Sequence, residues 1–196
     1  MSAVEASEAA TRGKRADAVR NTEAVLEAAK AAFAESGVDA PMRDIAARAG
    51  VGVGTIYRNY PQRSDLIIAV FRRELDATAA AAERLRAAHP PAEALRLWAQ
   101  RLAGFVATKR GFASALHSGD PAYAPLRGQL LGVLAPRVQE ILDAGVADGT
   151  IRGDVHAEDL INALSRLADA DPGDTDGRTG RMTDVLLDGV ILTPRG

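Results

Sequence analysis

Residues Val53 to Tyr60 read VGTIYRNY, and four of them carry the groups that recognise base edges: Thr55, Tyr57, Arg58 and Asn59. Wound as a short helix, this stretch turns Ile56 inward and leaves the four polar side chains outward. A DNA major groove admits one α-helix and displays a distinct donor and acceptor pattern for each base pair. An Arg fork matches guanine, an Asn amide matches adenine, and a Thr methyl meets the thymine methyl. The chemistry on offer is base reading.

Such a helix must be held at a fixed angle by its neighbours. The preceding residues, MRDIAARAGVG, supply the parts of a helix-turn-helix. Ala46 is small enough to let the second helix approach. Gly50 has no Cβ to forbid positive φ in the turn. Ile45, Val51 and Ile56 seal the wedge between two short helices joined by a tight turn. Taken alone, an Ala, a Gly and an Ile at this spacing also suit a small helical domain that binds nothing, and these three residues leave both readings open.

The longer stretch GVGVGTIYRNYPQRSDL resembles the recognition-helix signature of the TetR-type (tetracycline-repressor-like) transcriptional regulators. The matching positions are Ala49-Gly50-Val51, Gly54-Thr55-Ile56-Tyr57, Tyr60, Pro61, Arg63 and Leu66. Upstream, Ala29, Phe33, Gly37 and Ile45-Ala46 also fit. The likeness covers about residues 20–72. Two positions depart from the family pattern. Ala40-Pro41-Met42 stands where a capping Ser or Thr often opens the first helix, and Gly52-Val53 where a polar pair often opens the second. Helix N-termini there still present backbone N–H groups to phosphate.

Composition agrees with a helical reading. The chain has 196 residues, 47% hydrophobic and 4% aromatic, with 40 alanines. That balance favours helices over strands. The net charge of −2 is unevenly spread. Residues 11–73 hold eleven Lys and Arg against seven Asp and Glu, or +4, the first ten residues carry −2, and the remainder is therefore −4. A basic N-terminal unit on an acidic body suits a DNA reader with a separate second domain.

Other chemistries find little support. The three histidines, His89, His117 and His156, are far apart, and the chain has no cysteine. No metal site or cofactor is expected. The GVGVG run at 50–54 has no strand before it, so it is not a dinucleotide fingerprint. No phosphate loop or catalytic serine elbow occurs. The N-terminus lacks a signal pattern and no run reaches the roughly 18 apolar residues of a membrane helix. The expectation is a cytoplasmic protein that is not an enzyme and has no membrane partner.

Along the chain, residues 1–19 are expected as a flexible arm, with Arg12-Gly13-Lys14-Arg15 a basic cluster. A helix over 20–36 buries Val25, Ala29, Ala32 and Phe33 and ends at Gly37. The motif follows, and then a long helix opens near Pro61 and Ser64-Asp65 and runs toward Ala88, with Leu66, Ile67, Val70, Phe71 and Leu75 as its stripe. The DNA-binding domain is placed at 20–75 and the effector-binding and dimerisation domain at 76–196. Within the latter, helices are expected at 91–109, 112–117, 125–148, 156–170 and 181–192. Pro136 is expected to kink or break the third of these, because proline removes a backbone donor and clashes with the preceding turn.

The expected fold is all-α. An N-terminal three-helix DNA-binding domain precedes a C-terminal helical domain. Thr55, Tyr57 and Arg58 are assigned to bases, with Asn59 and Val53 beside them. Tyr60, Arg63, Arg43 and Arg20 are assigned to phosphates. The resemblance further implies an effector cavity lined by Trp98, Leu102, Phe105, Phe112, Leu116, His117 and Tyr123, with His117 and Tyr123 as polar contacts. It also implies a homodimer whose last two helices pair with a symmetry mate through Leu160, Leu164, Leu167, Met182 and Leu186. The reading is a repressor released from a palindromic double-stranded operator by a small lipophilic effector. One alternative is a regulator that answers to no ligand. Another, from a different class, is a small-molecule carrier or enzyme whose helix-turn-helix is only structural.

Overall fold

The computed structural model describes residues 3–110, 112, 120–126, 128–169 and 177–192, with side chains from Asp17 onward except at 107–110, 125 and 169. These residues form eight α-helices: α1 (Ala3–Ser36), α2 (Met42–Ala49), α3 (Val53–Asn59), α4 (Arg63–Ala88), α5 (Pro91–Arg110), α6 (Gln129–Ala147), α7 (Ala157–Asp169) and α8 (Arg178–Val190). A 3-10 turn, Pro121–Leu126, precedes α6. The only bridge among the described residues is an isolated antiparallel pair, Ile151 with Ile191. The fold is all-α, as the composition demands.

The chain divides into two compact units, Met1–Val70 and Phe71–Gly196, and α4 contributes residues to both. In the first unit the core is Val25, Ala29, Ala32 and Phe33 of α1 with Ile45, Ala46, Ile56, Leu66 and Ile67, all at most 3% exposed. Gly37 ends α1 at φ +72°, and its N–H donates to the Phe33 carbonyl at 2.9 Å. That is the left-handed residue a helix end calls for.

The sequence suggested an irregular arm over 1–19. The backbone is instead helical from Ala3, continuous with the rest of α1. Alanine has the highest helix propensity, and the segment is rich in it, with Gly13 its one glycine and no proline. Burial begins only at Leu26 and Val25, since residues 17–24 are exposed or half-exposed.

In the second unit α7 packs on α5, α6 and α8. Its core holds Leu95, Trp98, Leu102 and Phe105 from α5, Leu134, Val138 and Ile141 from α6, and Leu160, Ile161 and Leu164 from α7. Two expectations are corrected here. Helix α6 starts at Gln129 rather than Pro125, because Gly128 at φ +88° interrupts the winding after the 3-10 turn. It then runs unbroken through Pro136. That ring faces solvent, as does Gly132 one turn earlier, so water can serve the carbonyl left without a donor. The helix expected at 112–117 lies outside the described residues apart from Phe112. Helix α8 begins and ends earlier than expected, and it buries Leu187 and Val190 while Met182 and Val185 are exposed.

Candidate nucleic-acid interface

The turn between α2 and α3 is built from backbone bonds alone. The Gly50 N–H donates to the Ala47 carbonyl at 3.2 Å and the Val51 N–H to the Ala46 carbonyl at 3.1 Å. This crossed pair is the Schellman arrangement, and it requires the φ of +67° that Gly50 adopts. Ala46 is 3% exposed and Ile56 fully buried, so α3 is fixed against α2 through the small residue and the apolar anchor.

Helix α3 consequently presents one face outward. Tyr57 is 50% exposed, and Arg58 and Asn59 are exposed. The Arg58 guanidinium donates to the Thr55 hydroxyl at 3.1 Å, and the Asn59 amide to the Thr55 carbonyl at 3.1 Å. Thr55 and Val53 are half-buried at the start of the helix, and Arg43 is exposed on α2. Arg20 is exposed on α1 and pairs with Asp17 one turn earlier. The outer face of α3 is thus a group of donors already oriented by contacts within the helix. Neither helix of the motif has a side-chain cap, so their first N–H groups remain unsatisfied by side chains.

Arg63 also makes internal contacts that the sequence did not show. Its Nη1 donates to the carbonyls of Val38 at 2.6 Å and Ala40 at 2.7 Å, both in the loop between α1 and α2. The guanidinium ties the start of α4 to that loop, so Arg63 is first an internal clamp. Beside it, the Gln62 N–H donates to the Asp65 carboxylate at 2.9 Å and the Asp65 N–H to the Gln62 carbonyl at 3.1 Å, closing the first turn of α4. A second clamp was not foreseen. Arg48 of α2 grips Glu35 of α1 through two bonds of 2.8 and 2.6 Å. The Arg48 hydrogen bond holds the Glu35 carboxyl below its usual range, and Glu35 in turn raises Arg48. Tyr60 is half-buried, and burial followed by the nearby Glu23 charge raises its phenol.

In the second unit, Trp98 and Leu102 are fully buried, Phe105 and Phe112 are 1% exposed and Tyr123 is buried. Leu116 and His117 lie outside the described residues. Two described surface grooves, of about 610 and 540 Å³, flank Gly132 and Pro136, and none of the expected effector residues lines either. Of the expected dimer residues, Leu160 and Leu164 are each 3% exposed within the chain's own core. Their burial against α5 and α6 accounts for them, and they are not part of an open seam. Met182 is 43% exposed, while Leu167 and Leu186 are half-buried.

Residues 25–70 match the bacterial regulatory proteins of the tetR family. Residues 90–191 match the C-terminal domain described as transcriptional regulator SbtR-like. The chain belongs to the TetR family of transcriptional regulators. Its structure is similar to that of a TetR transcriptional regulator from Streptomyces coelicolor, at 36% identity and TM-score 0.77, covering 87% of this chain and 98% of the other. A TetR transcription regulatory protein from Mycobacterium vanbaalenii is 33% identical, with TM-score 0.74 over 91% of this chain and 99% of that one. The HTH-type transcriptional repressor LfrR of Mycolicibacterium smegmatis is 41% identical over 75 residues, or 38% of this chain and 39% of LfrR. An HTH-type transcriptional regulator of Staphylococcus aureus is 40% identical over 63 residues, 32% of this chain and 34% of its own. The chain thus aligns with little more than a third of these curated relatives. Among the described residues no helix is long and apolar enough to cross a membrane.

Proposed function

We propose that this TetR-family regulator is a homodimeric repressor that holds a partly palindromic operator and is released by a small lipophilic effector. The observation that carries the DNA half is the outward donor face of α3, with Tyr57 half-exposed and Arg58 and Asn59 exposed on a helix anchored by Ile56. Arg58, Tyr57 and Thr55 read bases. Arg43, Tyr60 and Arg20 hold phosphates, which fix register without carrying sequence. The DNA-binding part spans 20–75 and the effector and dimer part 76–196, with α4 shared. Two α3 helices in a two-fold dimer meet half-sites about one helical turn apart, roughly 34–36 Å. Footprinting on DNA upstream of the protein's own gene tests this. Protection of a palindrome is the expected result, and protection no better than on unrelated DNA overturns it.

The effector half rests on position. Trp98, Leu102, Phe105, Phe112 and Tyr123, with Leu116 and His117, cluster in the segment that follows α4, and the cavity is placed within 95–142. A specific observation favours a second reading, a regulator without a ligand. Trp98 and Leu102 are fully buried, so no water-sized space touches them in this state. Release of operator DNA by a compound that also changes Trp98 fluorescence decides for the first reading.

A further inference from the structure

Gly50 must be glycine, because the turn holds it at φ +67°. Gly54 carries no such demand. It lies inside α3, its φ is negative and it is exposed. A Cβ built there meets nothing within 4 Å. Alanine would fit the position and wind the helix better. A glycine that its own fold does not require marks a point where another molecule comes close to the backbone.

Which molecule comes close is set by the face on which Gly54 lies. Ile56 is fully buried. Gly54 and Arg58 stand two residues to either side of it, which at about 3.6 residues per turn puts both on the opposite, outward face. They are neighbours on that face, one turn apart. Arg58 runs back along the helix, and its Nη2 donates to the Thr55 hydroxyl at 3.1 Å. Thr55 is half-buried, a firmer anchor than the exposed Arg58. That bond uses one guanidinium N–H and leaves the rest of the fork free. The outward face of α3 is therefore a bare patch of backbone beside an arginine held to one side.

We propose that Gly54 is a specificity-determining position: its missing side chain lets α3 seat deeply enough in the major groove for Arg58, positioned by the Thr55 hydroxyl, to bond one guanine at both N7 and O6. This rests on the DNA-binding reading above and names the base pair that α3 takes, a G·C pair in each half-site. A methyl group at position 54 stands between the helix and the base edges. Holding the helix off by about 1 Å is enough to carry a hydrogen bond out of range. The two bonds of the fork are lost together, because a bidentate contact tolerates little displacement. Long side chains on phosphates follow such a shift, so affinity for unrelated DNA persists.

The test uses the full-length protein, the footprinted fragment and an unrelated duplex of the same length. Guanines of the fragment are replaced one at a time by 7-deazaguanine, which lacks the N7 acceptor. Wild type is expected to lose about 10-fold in affinity at one guanine per half-site. Gly54→Ala is expected to melt at or above the wild-type temperature and to bind the unrelated duplex as well as wild type. It should bind the fragment about 10-fold more weakly and ignore 7-deazaguanine. Thr55→Val should blunt the response at that same guanine, while Thr55→Ser, which keeps the hydroxyl, retains it. A Gly54→Ala protein that binds the fragment like wild type overturns the inference. So does one that melts lower, since the fold itself then requires the glycine. Indifference of wild type to 7-deazaguanine at every position removes the guanine contact, and a full response in Thr55→Val removes the positioning role. Failure of wild type to bind any fragment specifically overturns the repressor reading itself.

Discussion

The Trp98 indole N–H is bonded to the Thr78 carbonyl, so a helix donor reaches across to a backbone acceptor that already lies inside another helix. Both residues are fully buried. A buried indole N–H is expensive to leave unmade, and here the fold gives it a partner. Trp98→Phe keeps the aromatic contact and removes the bond and part of the volume. The expected cost is about 1–3 kcal/mol, measured as a lower urea midpoint at unchanged slope. An unchanged midpoint would show that the bond contributes nothing.

Arg58 is expected to act on sequence and not on general affinity. It is exposed on α3, and its bond to the Thr55 hydroxyl holds the guanidinium near the helix axis side that faces outward. Arg58→Ala should relax discrimination at one base position by about 1–3 kcal/mol. Binding to a set of single-base operator variants measures this. A uniform loss across all variants, with a smaller salt slope, would reassign Arg58 to phosphate.

Arg63 is expected to show the opposite pattern. Because Nη1 is committed to the Val38 and Ala40 carbonyls, Arg63→Ala should destabilise the first unit by about 2–3 kcal/mol. Its effect on the salt dependence of DNA binding should be small once measurements are made well below the melting point. Thermal melting together with a salt titration separates the two effects. A stable variant with a slope reduced by about one unit would return Arg63 to the phosphate-binding group.

Arg63 also shows where the sequence stops being legible. Its place in the motif is visible from spacing, but the acceptors it meets lie more than twenty residues earlier, in a loop without periodicity. The motif itself was readable because its constraints are local: a small residue at 46, a positive φ at 50 and an apolar anchor at 56. The clamp of Arg48 on Glu35 and the pair of Arg101 with Glu74 were not read, since both join separate helices. A signal for the second was present. Glu74 and Thr78 interrupt the stripe of Phe71 and Leu75, and Arg101 shares a face with Trp98 and Phe105. Polar residues on an apolar stripe call for partners. The helical backbone of residues 3–19 was missed for a different reason. Helix propensity was outweighed there by the absence of an apolar face, although propensity alone suffices over an alanine-rich run.

Gly145 is expected to resist substitution. A Cβ at this position would come within 2.4 Å of the Ile151 Cδ1 and 2.8 Å of its Cβ. The second distance cannot be relieved by a rotamer change. Ile151 is held in place because its N–H donates to the Gly145 carbonyl at 2.9 Å and it pairs with Ile191. Gly145→Ala should destabilise by about 1–3 kcal/mol despite alanine's better helix propensity. Gly132→Ala, in the same helix with nothing within 4 Å, should be neutral or stabilising by up to about 1 kcal/mol. Equal effects at the two positions, by urea titration, would rule out the Ile151 contact as the cause.

The proposed dimer makes a prediction that differs from the one the sequence suggested. Leu160 and Leu164 look like seam residues on a helical wheel, but each is 3% exposed in the single chain. Leu164→Asp should therefore unfold the second unit, since an unpaired charge in a core is very costly. The open apolar surface lies on α8. Val185 is 63% exposed and Met182 43%, and they stand one turn apart on the side away from the buried Leu187 and Val190. Single exposed apolar residues are ordinary, but several together on one helix face, with Leu192 47% exposed just beyond it, suit burial by a second copy. Val185→Asp removes nothing from the chain's own core, so the monomer should keep its helix content and its melting should become independent of protein concentration. Light scattering should report half the mass of the wild type, and operator affinity should fall because one α3 helix alone meets one half-site. A Val185→Asp protein that stays dimeric places the interface away from α8, and a wild type that is already monomeric at micromolar concentration removes the dimer from the proposal.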